Sequence, residues 1–299
     1  MKIPPLEAMS LEEKVGQLFM TFFSGEEINV DIEKLMEECK IGGVIYYEWA
    51  NGLSSREQVR RLSRDLQERA KEKSLLPLFI AVDQEGGRVS RLKKGFTEFS
   101  GNAALALTGE PSLTKRCATA MGKELRSVGI SINFAPVLDV NSRYDNPVIG
   151  MRSFGESPEE VAELGFQALE GFHQAGVMAT VKHFPGHGDV SVDSHKGLPI
   201  VDKTFKDLQK SDLFPFIKLS KNAPALMTGH LLFPQIDAKY CATLSKKILT
   251  GILREDMQYK GLVISDSLFM GGLLENCPSI SAAAIRSFSA GVDILLFGG

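Results

Sequence analysis

Cysteine is scarce in this chain: Cys39, Cys117, Cys241 and Cys277 are the only four among 299 residues. They lie far apart and share no CxxC-like spacing. That excludes the disulfide framework of small secreted domains and a zinc site built from close cysteine pairs. Buried free thiols are expected instead, because Cys is among the most buried residue types. Neither sign of charge is in large excess, since 34 basic and 37 acidic residues leave a net −3, which gives no basic footprint for nucleic acid. Apolar runs such as Ile294-Leu295-Leu296-Phe297 are far shorter than the ~20 residues of a membrane span. The opening Met1-Lys2-Ile3-Pro4-Pro5 lacks the apolar stretch of a secretory signal, so a cytoplasmic location is expected. No Gly/Ser linker or low-complexity segment divides the chain, and residues 1–299 are expected to form a single domain.

What is present is the composition of an ordinary globular protein, 43% hydrophobic and 24% charged. Short apolar, β-rich runs predict strands near residues 17–23, 41–47, 78–82, 131–138, 177–182, 225–229, 261–265 and 293–297. Many are apolar at successive positions, as parallel strands covered on both faces require. Amphipathic stretches at 55–73, 113–128 and 157–175 separate them; Ser55 and Ser157, each followed by early acidic residues, read as helix caps. Strands alternating with helices over nearly the whole chain predict a single α/β (β/α)8 barrel. An open doubly wound sheet is the alternative, but no G-x-G-x-x-G follows the first strand.

A barrel of this kind places its chemistry at the C-terminal ends of the strands. The densest polar cluster there follows the fifth run: Lys182-His183-Phe184-Pro185-Gly186-His187-Gly188-Asp189, then Val190-Ser191-Val192-Asp193-Ser194-His195. Pro185 and the glycines make it a shaped loop. Its histidines suit proton transfer at neutral pH. Asp193 and His195, one residue apart, fall on one side of an extended segment, where the carboxylate orients the imidazole. Two other readings stay open for this loop: a metal site using His183, His187, Asp189, Asp193 and His195, although no established ligand spacing is present, or a polar surface loop.

Three further segments stand at strand ends. Residues 83–91 carry Asp83, two glycines and Arg91, an acceptor and a donor for substrate hydroxyls, or else a structural pair. Ser265-Asp266-Ser267 puts a carboxylate at the mouth of the seventh strand, suited to a nucleophile or base, or alternatively to capping a helix at Leu268. Residues 150–155 offer Arg152, and His230 follows the sixth strand as either a substrate contact or a structural histidine.

In order and spacing these segments resemble glycoside hydrolase family 3, in its bacterial β-N-acetylhexosaminidase branch. Residues 83–91, 150–155, 182–195 and the Ser265-Asp266-Ser267 turn carry the resemblance. It implies Asp266 as nucleophile, His195 as acid/base and Asp193 as its orienting partner. Asp83, Arg91, Arg152, Lys182 and His183 match positions that bind the terminal N-acetylglucosamine. The implied reaction is retaining exo-hydrolysis of a β-1,4-linked N-acetylglucosamine from cell-wall muropeptide fragments, with no metal or cofactor. The implied partner is a small glycan, not nucleic acid or a membrane, and the oligomeric state is left open.

A histidine acid/base is neutral after giving up its proton, so phosphate is expected to compete with water as acceptor. Two departures from the family pattern stand out. Ser267 occupies the place of a frequent second acid, and the chain reaches the eighth strand without the helix expected after it. Residues 11–15 of the N-terminal segment, or another chain, are then expected to cover that flank. A metal-dependent hydrolase and a catalytically silent sugar-binding barrel are the competing functions.

Overall fold

Alternating apolar runs and amphipathic helices leave each strand flanked by its neighbours in sequence. The computed structural model, which describes residues 4–298, closes them into a ring. Its strands are β1 (Phe19–Thr21), β2 (Gly43–Tyr46), β3 (Phe79–Val82) and β4 (Ile132–Asn133), then β5 (Met178–Phe184), β6 (Ala225–Thr228), β7 (Leu262–Ile264) and β8 (Leu295–Phe297). Every pairing is parallel, and the spatial order follows the chain, with β8 returning to β1 through Phe19 opposite Leu295. A parallel bridge between Ile264 and Ile294 completes the ring, with the Ser265 N–H donating to the Ile294 carbonyl at 2.9 Å. This is a (β/α)8 barrel. Residues 1–3 and 299 of the expected domain lie outside the described residues.

Alternation along each strand sorts the core into an inside and an outside. Met20, Ile45, Ala81, Ile132, Ala225, Met227, Ile264 and Leu296 fill the barrel interior. Val44, Tyr46, Ile80 and Val82 point outward against helix Arg56–Glu72 through its Val59, Leu62 and Leu66. Ser55 caps that helix by accepting from the Gln58 N–H, and Ser157 caps helix Pro158–Ala175 by accepting from Glu160.

The strands are shorter than the apolar runs for local reasons. The first run's opening residue, Gln17, is the C-cap of helix Leu11–Gly16. The fourth run stops being a regular strand after Asn133, because Pro136 brings no N–H to the ladder. Contact with β5 continues nevertheless: the Lys182 N–H donates to Pro136 O and the Leu138 N–H to Lys182 O.

Two expectations are corrected. Helix Leu11–Gly16 does not bury its apolar residues over the flank of the last strand; Leu11 and Val15 stay exposed, and the helix meets Val30–Cys39. Of the four free cysteines only Cys241 is buried; Cys39 is exposed and Cys117 and Cys277 are half-buried. Cys39 is the last residue of its helix, where the chain turns through a left-handed Lys40.

Candidate active site

The C-terminal ends of the strands surround a cavity of about 340 Å³, within the ~300–1,000 Å³ usual for small-molecule sites. Asp83, Arg91, Arg152, Lys182, His183, His195 and Asp266 all line it. Asp193 stands behind His195.

Lys182 and His183 are consecutive, yet both reach the cavity. Between Val181 and Phe184 the register of β5 on β6 shifts: three steps along β5 match two along β6, from Leu226 to Thr228. The extra residue breaks strict in-out alternation. Lys182 is buried and lies 2.9 Å from Asp83 Oδ1 and 2.7 Å from Glu85 Oε1. Arg152 grips the same Glu85 with two bonds, 2.9 Å from Nε and 2.8 Å from Nη2. Burial works against the charge on Glu85, but Lys182 and Arg152 outweigh it and hold the carboxyl far below its ordinary range. Burial likewise opposes the charge on Lys182, while Asp83 and Glu85 keep it an ammonium.

Arg91 is placed by Gln84. The Gln84 Oε1 accepts from the Arg91 and Leu92 N–H groups, at 2.9 and 3.0 Å, and its Nε2 donates to Leu92 O. This holds a small hairpin, Gln84–Gly86 with Val89–Ser90, whose turn passes through Gly86 and Gly87 at positive φ. Arg91 approaches Asp83 only to 3.7 Å, too far for a hydrogen bond. Its buried Nε has no protein partner among the described residues.

His183 is oriented by Asp139 at the end of the fourth run. Its Nδ1 lies 2.7 Å from Asp139 Oδ2, while the backbone N–H groups of His183 and His187 donate to Oδ1 at 3.1 and 2.7 Å. Although burial pushes it up, His183 and these bonds keep the Asp139 carboxyl low.

Asp266 leaves β7 without starting a helix. Leu268 and Phe269 form a turn and the next helix, Gly271–Leu274, is capped by Met270, so the helix-cap alternative for Asp266 is not what this structure adopts. The Ser267 N–H donates to Asp266 Oδ1 at 2.7 Å. Burial raises its pKa, but nearby His230, His183, the Ser267 N–H and Lys182 together lower it, favouring the carboxylate. His230 has both ring nitrogens engaged, 2.8 Å from Thr243 Oγ1 and 2.8 Å from Ser267 O, and is fully buried. It supports the Asp266 turn and does not line the cavity.

Asp193 Oδ1 lies 2.8 Å from His195 Nδ1 and also accepts the His195 backbone N–H at 2.9 Å. Nδ1 is thereby occupied, and Nε2 is the free ring nitrogen among the described residues. Burial opposes the Asp193 charge, but the two His195 bonds lower its pKa. The His195 side chain is 64% exposed, on the open side of the site. Asp189 turns away to Lys203 at 2.8 Å. Among the described residues no three His, Cys, Asp or Glu side chains gather as metal ligands.

Sequence reasoning missed Glu85, Asp139, Ser194 and the cavity-lining Tyr47. Asp139 had the signal used for the others, a carboxylate directly after an apolar run.

Known proteins resemble this chain closely. It is 41% identical over 285 residues to β-hexosaminidase A of Pseudoalteromonas piscicida, covering 89% of this chain and 47% of that protein. It is 36% identical to a β-hexosaminidase of Idiomarina loihiensis, covering 93% and 82%. A solved family 3 β-N-acetylglucosaminidase from a Paenibacillus species superposes with a TM-score of 0.95 at 44% identity, covering 97% of this chain and 55% of that one. The chain thus spans about half the length of two of these three relatives. With a barrel of this topology and a match to the family model over residues 10–298, the chain belongs to glycosyl hydrolase family 3, in that family's N-terminal domain.

Proposed function

We propose that this chain is a retaining exo-β-N-acetylglucosaminidase that acts through a covalent glycosyl-aspartate intermediate. The observation that carries this is a single juxtaposition. Asp266 and His195 line the same cavity as Asp83, Arg91, Lys182 and His183. The names of the relatives support the same substrate class.

The sugar pocket suits a neutral ligand, because its own charges are largely paired. Glu85 takes up Arg152 and Lys182, and Lys182 also reaches Asp83. Asp83 accepts from sugar hydroxyls, while Arg91 and His183 supply further polar contacts from groups the protein leaves open. Held there, the ring presents its anomeric carbon to Asp266. The Ser267 N–H occupies Oδ1, so Oδ2 is the attacking oxygen.

In the first step Asp266 bonds the anomeric carbon as the aglycone departs, and the imidazolium of His195 gives its Nε2 proton to the leaving oxygen. In the second, neutral His195 takes a proton from water, which displaces Asp266 and releases the sugar with its configuration retained. Asp193 accepts a hydrogen bond from the Nδ1–H throughout, so one tautomer and orientation serve both steps.

The exposed, neutral imidazole of the second step does not repel an anion, which favours phosphate as an alternative acceptor. Formation of sugar 1-phosphate in phosphate buffer checks this side reaction. Terminal β-1,4-linked N-acetylglucosamine on cell-wall-type fragments is the proposed natural substrate. The proposed working location is the cytoplasm, with the free state of all four cysteines in support. No helix among the described residues is long and apolar enough to cross a membrane.

The test pairs a nitrophenyl N-acetyl-β-glucosaminide with the corresponding β-glucoside. Only the first is expected to be cleaved, and Asp266→Ala is expected to remove nearly all turnover. A near-wild-type rate in Asp266→Ala overturns the mechanism. Binding without turnover indicates the silent sugar-binding barrel. Loss with a chelator and recovery with zinc indicates the metal-dependent hydrolase.

A further inference from the structure

Residues 191–197 carry the acid/base pair on a largely solvent-facing loop. Ser191, Val192, His195 and Lys196 are exposed, Asp193 and Gly197 half-buried, and only Ser194 is buried. Asp193 and His195 flank it, so the residue between the pair points inward while the pair itself faces the open side. The Ser194 Oγ lies 2.9 Å from Nε2 of His187, another buried side chain.

What His187 is attached to gives this contact its interest. Its backbone N–H donates to Asp139 Oδ1 at 2.7 Å, and the other oxygen of that carboxylate holds His183. Ser194, His187, Asp139 and His183 therefore form a continuous polar connection from the acid/base loop to the sugar pocket. The loop's other ties near Ser194 lead to the segment after β7. The Gly272 N–H donates to Ser194 O at 3.1 Å, and the Leu198 N–H donates to Glu275 at 2.9 Å. The first needs a close approach, since a Cβ on Gly272 would stand 2.8 Å from Ser194 O. The hydroxyl of Ser194 thus connects this part of the loop to the residues that frame the sugar.

We propose that Ser194 is a positioning residue for the acid/base: its hydrogen bond to His187 pins the loop so that Nε2 of His195 meets the glycosidic oxygen. The proposal rests on the reading of His195 as acid/base. His187 Nδ1 is buried without a protein partner among the described residues, so the ring proton belongs on Nε2, where it is donated to the serine and no buried N–H is left unpaired. Burial, with His183 next, pushes the His187 pKa down to about 4, and the ring stays neutral and keeps this donor at working pH.

A displaced acid costs most where the leaving group most needs its proton, and a misplacement of about 1 Å can cost ~10²-fold. The experiment measures kcat/KM, which reports steps only through departure of the aglycone, for N,N′-diacetylchitobiose and for the nitrophenyl glycoside. Ser194→Ala, Ser194→Thr and His195→Ala are compared with the wild type. Ser194→Ala is expected to lose roughly ten- to hundredfold on the disaccharide and about tenfold less on the nitrophenyl substrate. Ser194→Thr, which keeps the hydroxyl, recovers to within about threefold, and inhibition by free N-acetylglucosamine stays within about twofold throughout. Equal losses on both substrates, no loss, or a threonine variant no better than alanine overturns the role of Ser194 while His195→Ala still discriminates between the substrates. If His195→Ala itself does not discriminate, the acid/base assignment fails, and the role of Ser194 with it.

Discussion

Lys182 and Glu85 form a buried ion pair at 2.7 Å, each side chain 2% exposed. Since Glu85 also grips Arg152 through two bonds, one carboxylate balances two cations beneath the sugar pocket. Removing one partner of such a set leaves buried charge uncompensated, at a cost of ~3–5 kcal/mol. Glu85→Gln is expected to lower unfolding stability by that order, read as a drop in denaturant midpoint with unchanged slope. A loss under about 1 kcal/mol, as for a surface pair, contradicts the burial argument.

His187 makes stability depend on pH in a definite direction. Burial holds its folded pKa at about 4, whereas an unfolded histidine titrates near ~6.5. Between those values the unfolded chain binds the extra proton, so stability falls as pH drops from about 6.5 to about 4. At ~1.4 kcal/mol per pH unit the loss from this one group is of order 3 kcal/mol. Melting curves across that window are expected to converge for wild type and His187→Gln toward pH 4. Parallel pH dependence in the two proteins excludes the effect.

Activity has its own pH dependence. The groups around Asp266 outweigh burial and keep its pKa lowered. The nucleophile is then still charged where an ordinary aspartic acid, near ~3.9, begins to take up its proton. The acid limb of kcat/KM is expected to lie below that value. A kcat/KM profile whose acid limb lies above the ordinary aspartic acid value contradicts the lowered Asp266 pKa.

Close backbone approach fixes the floor of the catalytic loop. A Cβ on Gly188 would fall 1.6 Å from the Val140 carbonyl oxygen, whereas one on Gly251 meets nothing within 4 Å among the described residues. Gly188→Ala is therefore expected to destabilise severely or yield insoluble protein. Gly251→Ala, within helix Lys247–Asp256, should stabilise by about 0.5–1 kcal/mol. Similar thermal midpoints for the two variants contradict the packing described here.

All eight barrel strands were legible, because burial on both faces writes itself into successive apolar residues. The cavity-lining side chains were legible as polar residues directly after those runs, and Asp83, Arg91, Arg152, Lys182, His183, His195 and Asp266 meet in one cavity. Glu85 was not. A glutamate in a short hairpin reads as solvent-facing, and only the tertiary approach of Lys182 and Arg152 gives it a reason to be buried. The inward turn of both Lys182 and His183 depends on a register shift against β6, and pairing register leaves no local mark. Ser194 was invisible for the same reason, since its partner His187 is on another part of the loop.

The central claim is that Asp266 is the nucleophile, and the most direct measurement traps it. Incubation with a fluorinated N-acetylglucosaminyl fluoride, whose glycosyl-enzyme turns over slowly, is followed by digestion and mass spectrometry. The prediction is one added sugar on the peptide containing Asp266, at the side chain of that residue. A sugar found instead on Asp83, Asp193 or any other residue contradicts it.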